Sequence, residues 1–461
     1  MTVGVIELND AGLRYGVGDN IIIESPGVSL VSEKQILLGA QAMQQARLHP
    51  VQTNNLFWHR LSAEPLNTHS NFCRHHADLA YSQLLEIHQA KPDCNNIIFA
   101  IPSSFSREQM SLLLGIVGQC PFKAIGIVDS ALAAASLYAS QQHSLHIDLQ
   151  LHQSVFTQLT IEQESGTPRL KRGQVEVLPN TGMISILDQW AKKLADHFVD
   201  QTRFDPFYSA ETEQSLYDQI PRWLQLSQQS NELVLEVNAK TIKLTREQFV
   251  SPLLPIYQSI TFKAEQLLQL TGSTGQVQLL ISDRLATLPG LLESLNANPK
   301  FRSIALPNNA VLRGGHSHAD LIGNNGEHLQ FVLSLPAQSS PTNIEENVSP
   351  TELENSPSEK TATHCLIAHS AHPIDESFIF VNENTNHLDH LSISKNKESS
   401  SLFGLQKDAQ GILLTPFSAD RISINGNVIN DNCSLSLGDK ISISNHDTLI
   451  SLINVTTDNG A

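Results

Sequence analysis

A chain of 461 residues with 29 basic and 46 acidic side chains carries a formal net charge of −17, which repels nucleic acid at long range. Its 40% hydrophobic and 16% charged content is that of an ordinary soluble globular protein with room for two to four cores, on a prior of about 150 residues per domain. No run of about 18 apolar residues occurs, and the start MTVGVIELND lacks the basic-then-apolar pattern of a secretory signal, so a cytoplasmic protein without membrane insertion is expected. Five scattered cysteines, none spaced as CxxC, point to free buried thiols rather than a disulfide framework or a zinc knuckle. The short basic runs Lys192-Lys193 and Arg169 to Arg172 read as solvated faces.

Taken in order, VGVIEL (residues 3–8) turns at Asn9-Asp10-Ala11-Gly12 and resumes as LRYGV, which predicts a hairpin. Residues 77–88 have helical periodicity. Residues 97–101 are too short for a helix and are stopped by Pro102, so they predict a buried strand. Ser106 then caps a helix whose apolar positions are Met110, Leu113, Leu114 and Val117, ending near Gly118. A second apolar run, 124–128, leads through Asp129-Ser130 into the alanine-rich segment 131–135, predicted to be a closely packed helix. Alternation in LHIDLQLHQSVFTQLTIE from Leu145 predicts strand, turn and strand.

Further on, Leu187, Trp190, Leu194 and Phe198 share one helical face. Pro221 is expected to bend its helix. Residues 232–244 read as a hairpin, after which Thr245 and Gln248 form a capping box. Residues 336–363 are rich in proline, serine, asparagine and glutamate with hardly any large apolar side chain, the composition of a disordered acidic linker. Short strands at intervals of about ten residues over 364–461 predict a β-sandwich.

The strand, helix, strand, helix order of Ile97–Tyr138 resembles, nearly position for position, the DnaK-type chaperone segment "TVPAYF … S-x-x-QR … IxEPTAAALAY" of the actin-like ATPases. The similarity in element order covers residues 3–335. It implies an α/β actin-like ATPase fold over 1–335, made of two ribonuclease-H-like lobes, about 1–143 and 144–335. It also implies ATP and magnesium as cofactors, and a nucleotide cleft drawing on Glu7, Asp10, His59, Asp129, Asp148, Arg222, Arg284 and Gly314. No residue is assigned as catalytic.

On that resemblance Glu7 falls on the acid of the first phosphate loop, but Asn9-Asp10-Ala11 replaces Gly-Thr-Thr and sets the Asp10 carboxylate where a phosphate would approach. His59 stands for the catalytic lysine, and imidazole is mostly neutral at neutral pH. Asp148 matches the leading acid of the second loop, "hhDhGGGTxDhShh", whose glycines become Gln150-Leu151-His152 and whose second acid falls on or near Val155. Asp129 reads either as a ligand to magnesium-bound water or as a helix cap. Arg222 is what remains of the adenine-clamping Glu-x-x-Lys-Arg, Ser282-Asp283-Arg284 replaces Gly-Gly-Ser in the adenosine loop, and Gly314 opens the pattern of the last helix. Gly314-Gly315-His316-Ser317-His318 has no third ligand at metal spacing, so no metal site is assigned.

ISINGNVINDNCSLSLGDKISI resembles the close of forkhead-associated domains, with Asn425-Gly426 at a hairpin and Gly438-Asp439 at a turn. Phosphothreonine readers of that family also use a Gly-Arg and a Ser-x-x-His. No arginine occurs between Thr363 and Asp420, and Ser392 or Ser394 is what remains for the binding loop. The expected function is that of a degenerate, DnaK-like pseudo-ATPase scaffold or regulator acting through protein–protein interaction. The alternative is an ATP-binding, chaperone-like switch with weak magnesium-dependent hydrolysis, in which Glu7, Asp129 and Asp148 order the ion. Each lost electrostatic contact at a phosphoryl centre costs about 3 kcal/mol in the transition state, which favours the scaffold.

Overall fold

The computed structural model describes residues 2–66, 73–164, 166–271, 276–323 and 329–337. Further on it describes 364–367, 370–374, 379–383, 391–394, 397, 400–408, 411–417, 421–424, 427–429, 431–435, 439–444 and 450–453. Most of the expected linker, Asn425-Gly426 and Gly438 lie outside these. The chain divides into two units, Met1–Glu346 and Asn347–Ala461.

Two six-stranded sheets of one connectivity organise the first unit. In one, β1 (Val3–Glu7), β2 (Leu13–Val17) and β3 (Asn20–Ser25) form an antiparallel meander. β4 (Asn96–Ile101) and β5 (Lys123–Asp129) join in parallel on the far side of β1, giving the order β5-β4-β1-β2-β3. In the other, β6 (His143–Leu149), β7 (Gln153–Glu164) and β8 (Thr167–Pro179) form the meander, and β9 (Val277–Ile281) and β10 (Phe301–Ala305) the parallel pair, giving β10-β9-β6-β7-β8. One short segment stitches the sheets together. Phe331–Val332 extends the first beside β5, and Ser334–Pro336 extends the second beside β8.

The sequence NIIFAI forms β4 because apolar packing awaits it on both faces, as is usual for a central parallel strand. Ile97, Phe99 and Ile101 enter the core shared with α1 (His76–Gln89) and α2 (Arg107–Val117), while Ile98 and Ala100 enter the core around α3 (Ser130–Ala135). The expected cap of α2 is present. Ser106 Oγ accepts from Gln109 N (3.2 Å) and Gln109 Oε1 accepts from Ser106 N (2.9 Å).

In the second half, α4 (Met183–Thr202) and α5 (Ala210–Gln229) bury Leu187, Trp190, Leu194 and Phe198 with Leu216, Ile220 and Trp223. α6 (Leu254–Thr271) adds Tyr257 and Ile260 to the same core. Pro221 does not end α5, which runs on for eight residues beyond it. The position is exposed, so water can bond the carbonyl that loses its helical partner. The hairpin Glu232–Val237 with Lys240–Thr245 and the capping box of Thr245 and Gln248 form as expected. The short helix α7 (Asp283–Ala286) follows β9, and α8 (Ala310–Ser317) returns to pack on α3.

The second unit is all β among its described residues. A six-stranded and a five-stranded sheet, paired antiparallel throughout, share one core in which Cys365, Ile441 and Leu452 of the first lie with Val381, Phe403 and Leu405 of the second. Ser392 and Ser394 fall in the strand Leu391–Ser394 rather than in a loop. Ser394 Oγ accepts a bond from Asn382 Nδ2 (2.9 Å), and Asn382 Oδ1 accepts from the Ser401 hydroxyl (2.6 Å), so a cross-strand network claims it. All five cysteines are free, Cys73, Cys94 and Cys365 being buried. Among the described residues no helix is long and apolar enough to cross a membrane.

Candidate functional site

Because the two sheets repeat one plan, the β1–β2 and β6–β7 turns face each other, and here they are hydrogen-bonded together. Asn9 Nδ2 donates to Asp148 Oδ2 (2.9 Å) and to the Leu149 carbonyl (3.0 Å), while its own Oδ1 accepts from Ala11 N (2.9 Å). In return Leu151 N donates to Asp10 Oδ1 (2.8 Å). The backbone amide of the second turn is thus spent on a carboxylate of the first.

Beside these turns lies a buried network of guanidinium and carboxylate groups. Arg284, at the start of α7, donates from Nη1 to Glu7 Oε1 (2.8 Å) and from Nη2 to the Gly12 carbonyl. Arg14 of β2 makes a two-pronged contact in the opposite direction, to Asp283 Oδ1 (2.9 Å) and Oδ2 (2.6 Å). It adds the Asn308 carbonyl (2.6 Å) and Glu24 (3.1 Å). Each arginine therefore ties the first sheet to the second. Glu7, Arg14 and Arg284 are 2%, 4% and 7% exposed. The space left among Glu7, Arg14, His146, Asp148 and Arg284 is about 10 Å³, enough for one water at most.

The electrostatics follow from burial. Loss of water pushes the Glu7 carboxyl up against the pull of Arg284 and Arg14, and pushes Asp148 up against Arg284. Asp283 is also driven up by burial, but the Arg14 hydrogen bonds and the charges of Arg284 and Arg14 outweigh that and hold it below the usual range. Asp10, buried and bonded to Leu151 N, is pushed up to about 6. His146 is buried with both ring nitrogens unbonded, and desolvation lowers it to about 4, so it is neutral at neutral pH.

The remaining expected residues fall outside this network. Asp129 is the cap of α3: its Oδ1 accepts from Leu132 N (3.0 Å) and from the Ser103 hydroxyl (2.9 Å), and its Oδ2 pairs with Arg172 of β8 (3.0 Å). Arg172 is thus a half-buried ion-pair partner and not part of a solvated face. His59 lies half-buried beside His152, ring centroids 5.0 Å apart, and burial followed by the His152 charge lowers it. It opens with Asp10, Gln109, Gln150 and Gln153 onto a separate cavity of about 180 Å³. Arg222 is exposed on α5 and lines neither cavity. Gly314 is a packing glycine, since a Cβ there would overlap the Ala133 carbonyl of α3.

Sequence reasoning brought Glu7, Asp10, Asp148 and Arg284 together, but missed Arg14, Asp283 as its partner, and Arg172. Arg14 carries a signal in hindsight: a charged side chain inside an otherwise apolar strand needs a partner. The residues present do not fit a magnesium nucleotide. The carboxylates that would order the ion already hold guanidinium or amide groups, and the turn that would admit phosphate is closed by Asp10 on Leu151 N. Among the described residues no group of three or more His, Cys, Asp or Glu is placed to hold a metal. Comparison with protein-family models and with curated proteins gives no match.

The raised Asp10 carboxyl sets a pH dependence. A folded-state value of about 6, above that of the unfolded chain, means the native state binds more protons in between, so stability falls as pH rises through that window. Asp10→Asn keeps an acceptor for Leu151 N and removes the charge. It should stabilise the protein by about 2–3 kcal/mol at about pH 7.5, with the gain shrinking toward about pH 4, measured by urea denaturation. An equal effect at both pH values would exclude a buried ionised Asp10.

Proposed function

We propose that the chain is a degenerate actin-like, DnaK-related pseudo-ATPase, a scaffold or regulator that works through protein contacts and carries a forkhead-associated-like β-sandwich. Support for the fold comes from the two sheets of identical order, each a three-stranded meander with two parallel strands added beyond its first strand. Support for the sandwich comes from the two antiparallel sheets around one core. The observation that carries the loss of activity is the Arg284–Glu7 pair with its companion Arg14–Asp283, which fills the cleft between the sheets with the chain's own cations. A positive group held there does the work that an ion and its nucleotide would otherwise do: it neutralises the acids and draws the two halves together.

Calorimetric titration with ATP and magnesium tests this reading. No heat of binding is expected up to millimolar nucleotide. Saturable binding at micromolar concentration would overturn the scaffold and favour the nucleotide-driven switch.

A further inference from the structure

A cavity in the first unit shares no lining residue with the sealed cleft. It has a volume of about 340 Å³ and lies between the segment 28–55 on the side of the first sheet and α4 with α5 on the side of the second. Its size is that of a small-molecule site, and its position between two halves is where such sites commonly form.

Its edge is a second bridge between the halves. Arg47 N donates to Gln214 Oε1 (2.8 Å) and Gln214 Nε2 to the Met43 carbonyl (3.1 Å). The Arg47 guanidinium pairs with Asp188 (2.7 Å) and Glu213 (3.5 Å) and stacks 3.8 Å from the centre of the Tyr217 ring. One wall is apolar, supplied by Val28, Met43, Leu151, Ile184 and Leu187. The charge of the lining is lopsided. Among the described lining residues the one cation, Arg47, is committed to two carboxylates and a ring. Asp188 receives both Arg47 and the Tyr217 hydroxyl (2.6 Å) on one oxygen, Oδ1, and Asp218 receives Gln214 (2.8 Å) on Oδ1. Partial burial pushes the Asp218 carboxyl up, the direction expected of an anion short of a counter-charge.

We propose that this cavity binds a small amphipathic cation, with an aromatic or branched aliphatic body against the apolar wall and an ammonium or amidinium head between Asp188 and Asp218. A second anion is repelled by the same carboxylates, so nucleotides and other phosphates are excluded here too. A ligand seated there touches both halves of the unit and adds to the bridge at Arg47, so its binding favours the closed arrangement.

The test uses the full chain and two probes that share a phenylethyl body, 2-phenylethylammonium and 3-phenylpropionate, followed by ligand-observed NMR titration. The cation should bind saturably and the anion at least roughly tenfold more weakly. Asp218→Asn, at an exposed position that folding tolerates, should weaken the cation roughly tenfold, since it removes a charge-assisted hydrogen bond. Ala46→Phe should fill the cavity and abolish binding, and if that variant does not fold, Asp218→Asn alone decides. No saturable binding of the cation, equal binding of both probes, or cation binding unchanged in Asp218→Asn would overturn the proposal.

Discussion

Arg284→Met should cost the first unit about 3–5 kcal/mol, because it leaves the buried Glu7 carboxyl without its closest counter-charge. Glu7 is 2% exposed, and its second oxygen already lacks a hydrogen bond in the intact protein. Among the described residues the other cation near it is Arg14, which stands 4.0 Å away and is pulled toward Asp283 at 2.6 Å. A loss of this size is a large share of the 5–15 kcal/mol typical of a domain, so a marked fall in urea midpoint is the readout. The double variant Glu7→Gln with Arg284→Met should recover most of the loss, since the penalty belongs to the stranded charge and not to the missing contact. The single variant should also improve toward acid pH. Without its arginine the Glu7 carboxyl rises further above its unfolded value, and a raised acid contributes stability below that value which is lost as pH climbs through the folded one. A loss below about 1 kcal/mol would mean that water reaches the network and that the cleft is not sealed.

How much of this was legible in the chain depends on the distance over which each feature is decided. The elements between residues 96 and 135 could be read because their causes are local: an apolar run ended by Pro102, a serine with glutamine three positions on, an aspartate before an alanine-rich run. The cap reading of Asp129 was available for the same reason. Its other partner was not, because Arg172 lies 43 residues away in the other sheet, and its neighbours Arg169 and Lys171 pair with the exposed Glu164 and Glu162 while Arg169 also donates to Ser334. The Arg284–Glu7 pair spans 277 residues, and no pattern in either segment announces it. Sequence reasoning could register that Arg284 stood where the resemblance expects the serine of Gly-Gly-Ser. It could not register that the side chain would turn inward to Glu7 and the Gly12 carbonyl. The Gln150-Leu151-His152 turn can be read locally, whereas the buried arginines are set by partners far along the chain.

Two glycines in helices show how burial decides the sign of one substitution. Gly314 of α8 faces α3 so closely that a Cβ would overlap the Ala133 carbonyl oxygen, and its neighbour Gly315 meets Val5 of β1. The clash at Gly314 is with backbone on a helix that itself is entirely buried, so no flexible side chain can yield. Gly314→Ala should then cost about 3 kcal/mol or more, at the upper end of what overpacking costs, by forcing α8 off α3. Gly115 of α2 has open space around the same position and lies on the exposed side of its helix, so Gly115→Ala should stabilise by about 0.5–1 kcal/mol through helix propensity and a less flexible unfolded chain. Urea denaturation of both variants measures the two signs together. A Gly314→Ala loss no larger than about 1 kcal/mol would show that α8 can shift on α3 at little cost.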